Sequence, residues 1–271
     1  MKKPGAARAS KTASEFERRA ARAELVLHDA PEAEPLRFAA GLYRVQARVA
    51  AAIEEADREQ PLTGHLDEDV DRLAFAASWV ARYAAEEGPE ALAEQARARQ
   101  KDLPSTTRAR LLVLWAGGHS STEDYLSRAI LRPYVEVLRA LNRPPDRIHT
   151  RGHCPFCGGR PWIGARRDAS LMEGARRMLG CALCGGEWLF GRILCPSCFE
   201  EDPPKLPSFQ SDRHPNVRIE ACETCHRYVK SIDLDVDARA IPEVDDLVSL
   251  SMDLWAVEQG FERIEPGLAG I

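Results

Sequence analysis

The sequence has no cysteine in its first 153 residues and no apolar run long enough to cross a membrane. A membrane-spanning helix needs about 20 consecutive apolar residues, so we expect no membrane insertion. Residues 1–14 are basic and rich in small side chains, but they lack the apolar segment that a secretory signal requires. Arg18-Arg19 is followed by Ala, Arg and Glu, which does not fit an export signal. These absences predict a cytoplasmic protein.

Excess positive charge and familiar catalytic motifs are also missing. The formal net charge is -5 at pH 7, whereas nucleic-acid binding needs a concentrated basic face, so nucleic acid is not favoured as the main partner. We find no G-x-S-x-G, no G-x-x-x-x-G-K and no evident nucleophile–base pair. The sequence therefore predicts a protein that is not an enzyme and has no catalytic residues.

The cysteine-free part of the chain has the pattern of amphipathic helices. Apolar residues such as Leu36, Ala39 and Tyr43 recur near the helical period, and similar patterns follow as far as residue 143. Five or six such helices joined by short loops predict a helical bundle over residues 15–143. We expect a disordered tail at residues 1–14 and a linker at 144–152, which contains two consecutive prolines.

The eight cysteines form four C-x-x-C pairs, and the pairs repeat. In a reducing compartment such pairs are more typical of metal ligands than of disulfides. Adding 41 to the position of each of the first four cysteines gives the positions of the last four. This internal repeat predicts two tandem metal modules, at residues 153–192 and 193–240. An interleaved pairing of the turns stays open but would break the repeat. The predicted ligands are Cys154, Cys157, Cys181 and Cys184 in site 1, and Cys195, Cys198, Cys222 and Cys225 in site 2.

The chemistry of four thiolates suits zinc or iron in tetrahedral geometry. Zinc would make each site structural, whereas iron would make it a redox-active, rubredoxin-like centre. The three nearby histidines, His153, His214 and His226, receive little weight as ligands because the cysteines already fill four positions per site. Glycine follows each pair in the first module, but Phe199 and His226 stand at the equivalent positions of the second. We therefore expect more strained turns and weaker metal binding in site 2.

The cysteine motifs and their flanking residues resemble those of the formate dehydrogenase accessory proteins, the FdhE family, over about residues 30–265. The matching segments are Cys-Pro-Phe-Cys-Gly at 154–158, Cys-Ala-Leu-Cys at 181–184 with Glu187-Trp188, Cys-Pro-Ser-Cys at 195–198, Cys-Glu-Thr-Cys-His-Arg-Tyr-Val-Lys at 222–230, Asp233, Asp245-Asp246-Leu247, Asp253, Glu258-Gln259-Gly260-Phe261 and Pro133-Tyr134-Val135. All eight cysteine positions match the family pattern.

The resemblance implies a cytoplasmic assembly factor that binds the catalytic subunit of a respiratory, molybdenum- or tungsten-dependent formate dehydrogenase. Such a factor acts before or during maturation and twin-arginine export of its client. The resemblance also implies one iron ion in each rubredoxin-like site, with zinc as the alternative, and leaves a homodimer open. Two other functions stay open: an iron-centre electron-transfer protein and a zinc-ribbon nucleic-acid-binding protein.

The expected fold class is α+β. It comprises an N-terminal helical bundle, two tandem rubredoxin-like or zinc-ribbon-like metal modules with four cysteines each, and a C-terminal helix with its tail at residues 241–271. Within that last segment the apolar pattern predicts a single helix over Glu243–Gln259, with Gly260 at its end.

Overall fold

Helices make up most of the described chain before residue 141. The computed structural model describes residues 10–28, 33–117, 124–168 and 175–270. Its helices in this part are α1 (Lys11–Leu27), α2 (Ala33–Glu59), α3 (Leu66–Asp69), α4 (Ala74–Glu87), α5 (Glu90–Arg99), α6 (Pro104–Trp115) and α7 (Tyr125–Ala140), with a short 3-10 helix at Val70–Leu73. The predicted helical N-terminal region is confirmed. None of the helices described is both long and apolar enough to cross a membrane.

The first helix begins earlier than the sequence pattern indicated. Ser10 is its N-cap, and the Ser10 Oγ atom accepts a hydrogen bond of 2.9 Å from the backbone N–H of Ala13. Phe16 then packs fully buried in the core. Residues 11–14 of the predicted tail therefore belong to α1, because a capping side chain starts the helix ahead of its first large apolar residue. Residues 1–9 of that tail lie outside the described residues.

Helix α7 is the centre of the molecule. Every residue from Leu126 to Leu138 is buried, including three charged ones. The hydrophobic core around this helix contains Phe16 and Tyr43, and it also contains the four cysteines of site 1. The predicted linker at 144–152 thus joins the bundle to the first cysteine module without separating their cores.

The cysteine modules share one seven-stranded sheet. Its strands are β1 (Pro161–Asp168), β2 (Ala175–Cys181), β3 (Glu187–Leu189), β4 (Ser208–Ser211), β5 (His214–Cys222), β6 (Arg227–Asp233) and β7 (Glu262–Arg263). The order is β3-β2-β1-β6-β5-β4, and β7 also pairs with β6. The parallel pairing of β1 with β6 joins the first module to the second. The two modules are tandem in sequence, but they are not independent units in space.

The predicted single C-terminal helix is wrong in one respect, because two helices, α8 (Pro242–Val248) and α9 (Leu250–Glu258), replace it. The break lies at the fully buried Ser249. The Lys230 ammonium donates to the carbonyl oxygens of Asp246 and Ser249, at 2.8 and 3.3 Å. At the junction of the two helices, these carbonyl oxygens therefore accept hydrogen bonds from a buried lysine. Gly260 follows α9 with φ +83°, as expected for a residue that ends a helix.

Candidate metal centres

Three of the four C-x-x-C pairs form tight turns with the same pair of backbone hydrogen bonds. In the first turn the N–H of Cys154 donates to the carbonyl of Gly159 at 2.8 Å, and the N–H of Gly158 donates to the carbonyl of Cys154 at 2.9 Å. The turns that start at Cys181 and Cys195 repeat both bonds. Backbone N–H groups also point at sulfur, as from Leu183 to the Sγ of Cys181 at 3.4 Å. The local sequence thus presents thiols on a prearranged loop.

The thiols of each predicted set lie together. In site 1 the Sγ atoms of Cys154 and Cys184 are 3.6 Å apart, and those of Cys157 and Cys181 are 3.4 Å apart. A tetrahedral centre with metal–sulfur bonds of about 2.3 Å places its sulfurs about 3.8 Å apart. A disulfide needs about 2.05 Å. The spacing in site 1 therefore fits a tetrathiolate metal site rather than two disulfides.

Site 2 has the same arrangement. The Sγ atoms of Cys195 and Cys225 are 3.7 Å apart, and those of Cys198 and Cys222 are 3.6 Å apart. In each site all four sulfurs lie within 4.8 Å of one another. Each cluster combines two turns of one module, so the interleaved pairing is wrong and the repeat correctly indicated which turns meet.

Site 1 is embedded in the protein. All four of its cysteines are buried. Hydrogen bonds from Cys157 and the other two neighbouring thiols lower the pKa of Cys154, whereas burial raises the pKa of Cys181 well above its ordinary value. Four thiolates cannot share this space without a cation, because each added negative charge is opposed by burial and by the charge already present. The donor set and its surroundings therefore fit a metal ion.

Two arginines join site 1 to the rest of the chain. The Arg139 Nε atom of α7 donates to the carbonyl of Cys184 at 2.9 Å, and Arg147 donates to the carbonyl of Cys157 at 3.0 Å. Gly159 also matters, because a Cβ atom there would lie 2.7 Å from the Sγ of Cys181. The sequence analysis missed Gly159, because its position directly after Gly158 is the only indication of this role in the sequence.

Site 2 is more open and its turns are strained. Cys198 is exposed and Cys225 is half-buried. Phe199 and His226 adopt φ values of +65° and +53°, in the region where Gly158 and Gly185 of site 1 lie. A side chain in this region costs roughly 1–2 kcal/mol. The expected difference in backbone strain between the two modules is therefore confirmed.

The three histidines lie outside both clusters. The Nδ1 atom of His153 is 3.1 Å from the carbonyl oxygen of Gly158, and burial lowers the pKa of the imidazole. The Nε2 atom of His214 is 3.3 Å from the Oγ atom of Ser251. The ring of His226 lies 6.2 Å from that of Phe261. In the part of the chain that the structure describes, the two groups of candidate metal ligands contain cysteine alone.

A buried charge network fixes the strand that follows site 2. The fully buried ammonium of Lys230 lies 2.9 Å from Asp246 and also pairs with Asp253. Arg263 pairs with the same two aspartates, at 2.8 and 3.3 Å. Burial alone would raise the pKa of Asp246, but the charges of Arg263 and Lys230 lower it. The sequence analysis missed the burial of Lys230 and Arg263, because isolated charged residues are usually surface residues.

A second network joins the bundle to the C-terminal helices near site 1. Arg19 pairs with Glu136 at 2.8 Å and with Glu243 at 2.5 Å, and Arg132 pairs with both carboxylates. All four residues are buried. This network abuts the turn of site 1, since a Cβ at Gly185 would lie 2.9 Å from Glu136.

Each cluster is a closed set of four sulfurs. Such a site leaves no coordination position for water or substrate. It can hold zinc as a structural ion, or it can hold iron that exchanges one electron.

Comparison with known proteins links this site and fold to one family. Residues 193–268 match the family model described as FdhE, C-terminal domain. The chain is 38% identical to an FdhE homologue of Aquifex aeolicus over 44% of its own length and 42% of that protein. It is 26% identical to an FdhE homologue of Rhizobium meliloti over 94% of its own length and 90% of that protein. With the first relative, the alignment thus spans less than half of that protein.

A solved structure gives the comparison of folds. The crystal structure of the FdhE protein from Pseudomonas aeruginosa superposes with a TM-score of 0.68, covering 96% of both chains at 23% identity. This similarity supports the fold of the described residues, including the helical part that the family model does not reach. The resemblance to FdhE proteins that the cysteine motifs indicated is confirmed: the chain is similar to FdhE homologues in sequence and to an FdhE protein in fold.

Proposed function

We propose that this protein is a cytoplasmic accessory factor for the maturation of a formate dehydrogenase, and that it binds the catalytic subunit of that enzyme. The observation that carries the proposal is the pair of four-thiol clusters on a fold that matches an FdhE protein. The relatives named as FdhE homologues support it. In this role the chain is not an enzyme, and its clusters have no catalytic residue.

The eight cysteines hold two metal ions in this proposal, and iron is the preferred ion with zinc as the alternative. Sulfur-only tetrahedral sites suit both ions. Site 1 then joins the bundle to the sheet, because its four ligands lie within the core that surrounds α7. Site 2 is presented to a partner, because Cys198 is exposed.

A deletion strain of the native host tests the proposal. Loss of the gene should lower formate dehydrogenase activity while the client is still transcribed. The wild-type chain should restore activity, and the double change Cys195→Ser and Cys198→Ser should not. Ser197→Ala is the matched control, because it alters the same turn but removes no thiol, and it should restore activity. A pull-down from this host should recover the catalytic subunit. Normal activity in the deletion strain, with no recovery of that subunit, would overturn the proposal.

One alternative has an observation in its favour. The exposure of Cys198 would let a redox partner approach an iron ion in site 2, as an electron-transfer protein requires. That function predicts that iron cycles between two oxidation states during formate oxidation by the mature enzyme. An accessory factor predicts instead that the mature enzyme works without this chain.

A further inference from the structure

A small basic cavity lies beside site 2. It has a volume of about 100 Å³, and Cys195 and Cys222 form part of its wall. Four arginines and a single carboxylate, Glu220, also line it. The arginines are Arg166, Arg177, Arg192 and Arg227. Four guanidinium groups that share one lining carboxylate leave the cavity with an excess of positive charge.

Arg177 is already fully engaged. Its Nε and Nη2 atoms lie 2.8 and 2.7 Å from the Oε2 atom of Glu220. Its Nη1 atom donates to the carbonyl oxygens of Gly191 and Leu194, at 2.9 and 2.8 Å. Arg177 therefore shapes the cavity, and it also occupies the carboxylate that would otherwise neutralise its neighbours.

The other three arginines keep donors available. The Nη1 atom of Arg166 is 3.6 Å from Glu220, which is too long for a good hydrogen bond. Arg227 is 3.7 Å from Glu262, a carboxylate that is 78% exposed to water. Arg192 is exposed, and within the described ranges its side chain makes no ion pair or hydrogen bond. Three planar groups of donors thus border one small space, an arrangement that suits an oxyanion.

The size of the cavity limits the ligand. A volume of about 100 Å³ corresponds to about three water molecules, whereas drug-sized ligands occupy roughly 300–1,000 Å³. We propose that the cavity of Arg166, Arg192 and Arg227 binds a small oxyanion with phosphate or carboxylate chemistry. The ligand is either a free anion or the side-chain carboxylate of a bound protein. This inference goes beyond the proposed function, and its test requires no formate dehydrogenase.

One other role could explain the same arginines. Four thiolates around a divalent ion carry a net charge of about -2, which nearby guanidinium groups would stabilise. In that case the loss of one arginine would weaken metal retention in site 2. An oxyanion site predicts instead that the metal is retained while anion binding is lost. Measuring both metal content and anion binding on the same arginine variants therefore distinguishes the two roles.

The experiment is calorimetric titration of the full, metal-loaded chain at low ionic strength. Inorganic phosphate and acetate are the two probes, with a short aspartate-rich peptide as the third. Wild type should show saturable binding of at least one probe. Arg192→Gln and Arg166→Gln should each weaken that binding about tenfold, because each removes charge-assisted hydrogen bonds. Arg213→Gln removes an exposed arginine outside the cavity and should bind as wild type does.

The probes also distinguish the sources of the anion. Preference for phosphate identifies a free dianion, whereas preference for the peptide identifies a partner's carboxylate, and either result supports the site. Metal content is measured on every variant. The proposal is overturned if wild type binds no probe saturably, if Arg192→Gln binds as tightly as wild type, or if that variant loses metal from site 2.

Discussion

The difference between the two cysteine sites predicts that the protein releases its metal ions in two steps. All four thiols of site 1 are buried, whereas Cys198 of site 2 is exposed. His226 at φ +53° adds strain to a turn of site 2, and Gly185 occupies the equivalent position in site 1 without it. A chelator should therefore remove one ion in a fast phase from site 2 and one in a slow phase from site 1.

The magnitude follows from the backbone at His226. Its left-handed conformation costs roughly 1–2 kcal/mol, and replacing it by glycine would remove that strain. Glycine also increases the conformational entropy of the unfolded chain, which offsets roughly 0.5–1 kcal/mol of the stabilisation. His226→Gly should thus stabilise the turn by about 0.5–1 kcal/mol and slow the fast phase about two- to fivefold. Its ring makes only a distant contact with Phe261, so little packing is lost.

The reverse change serves as the counterpart in site 1. Gly185→Ala adds a Cβ that would lie 2.9 Å from Glu136 and 3.0 Å from Arg19, at a φ of +60°. We expect a cost of at least about 1–2 kcal/mol, which accelerates the slow phase at least about fivefold. Gly260→Ala is the control, because it introduces strain at φ +83° with no atom within 4 Å and lies outside both sites.

The assay is stopped-flow or manual mixing with a chromogenic chelator, with the amplitude of each phase calibrated in ions per chain. A single phase that releases both ions together would refute the reasoning. So would a His226→Gly variant that changes the slow phase and leaves the fast phase as it is in wild type.

Two further predictions concern the buried charge networks. Lys230→Met leaves Asp246 and Asp253 short of one cation and should lower the free energy of unfolding, measured in urea, by about 3–5 kcal/mol. Lys205→Met is the control, because it removes a half-exposed lysine and should change that free energy by less than about 1 kcal/mol. Equal effects of the two changes would contradict a stabilising role for the buried Lys230 network. Burial alone would raise the pKa of Glu243, but the charges of Arg132 and Arg19 lower it, so the folded state holds this proton less tightly than the unfolded chain. Its contribution to stability is therefore present above the ordinary value of 4.5 and is lost as the pH falls. Glu243→Gln should be less stable near neutral pH but should lose less stability on acidification, and an unchanged acid dependence would show that this carboxylate is not the cause.

Much of the site was predictable because it is local. A C-x-x-C turn specifies its own backbone, and the repeat of 41 residues indicated which turns meet. The helical period of the apolar residues predicted the helical bundle. The family motifs indicated that the bundle and the cysteine modules occur together in one FdhE-like fold. The positive φ values of Phe199 and His226 followed from the glycines at equivalent positions.

The remaining features depend on contacts between distant residues. No local pattern shows that β1 pairs in parallel with β6 and merges two modules into one sheet. The break at Ser249 depends on a lysine 19 positions earlier in the chain. The burial of Arg19 depends on Glu136, which lies 117 positions later in the chain, and the burial of Arg132 depends in part on Glu243, which lies 111 positions later. Long-range partners decide these features, and a single sequence does not reveal them.

The central claim is that the chain holds one metal ion in each four-cysteine cluster, and elemental analysis tests it most directly. Full-length protein purified from its native host without added metal should contain about two ions of iron plus zinc per chain. The variant Cys195→Ser with Cys198→Ser should contain about one, because site 1 lies in a separate, buried cluster. A wild-type value near zero, or a variant that still holds two ions, would contradict the account.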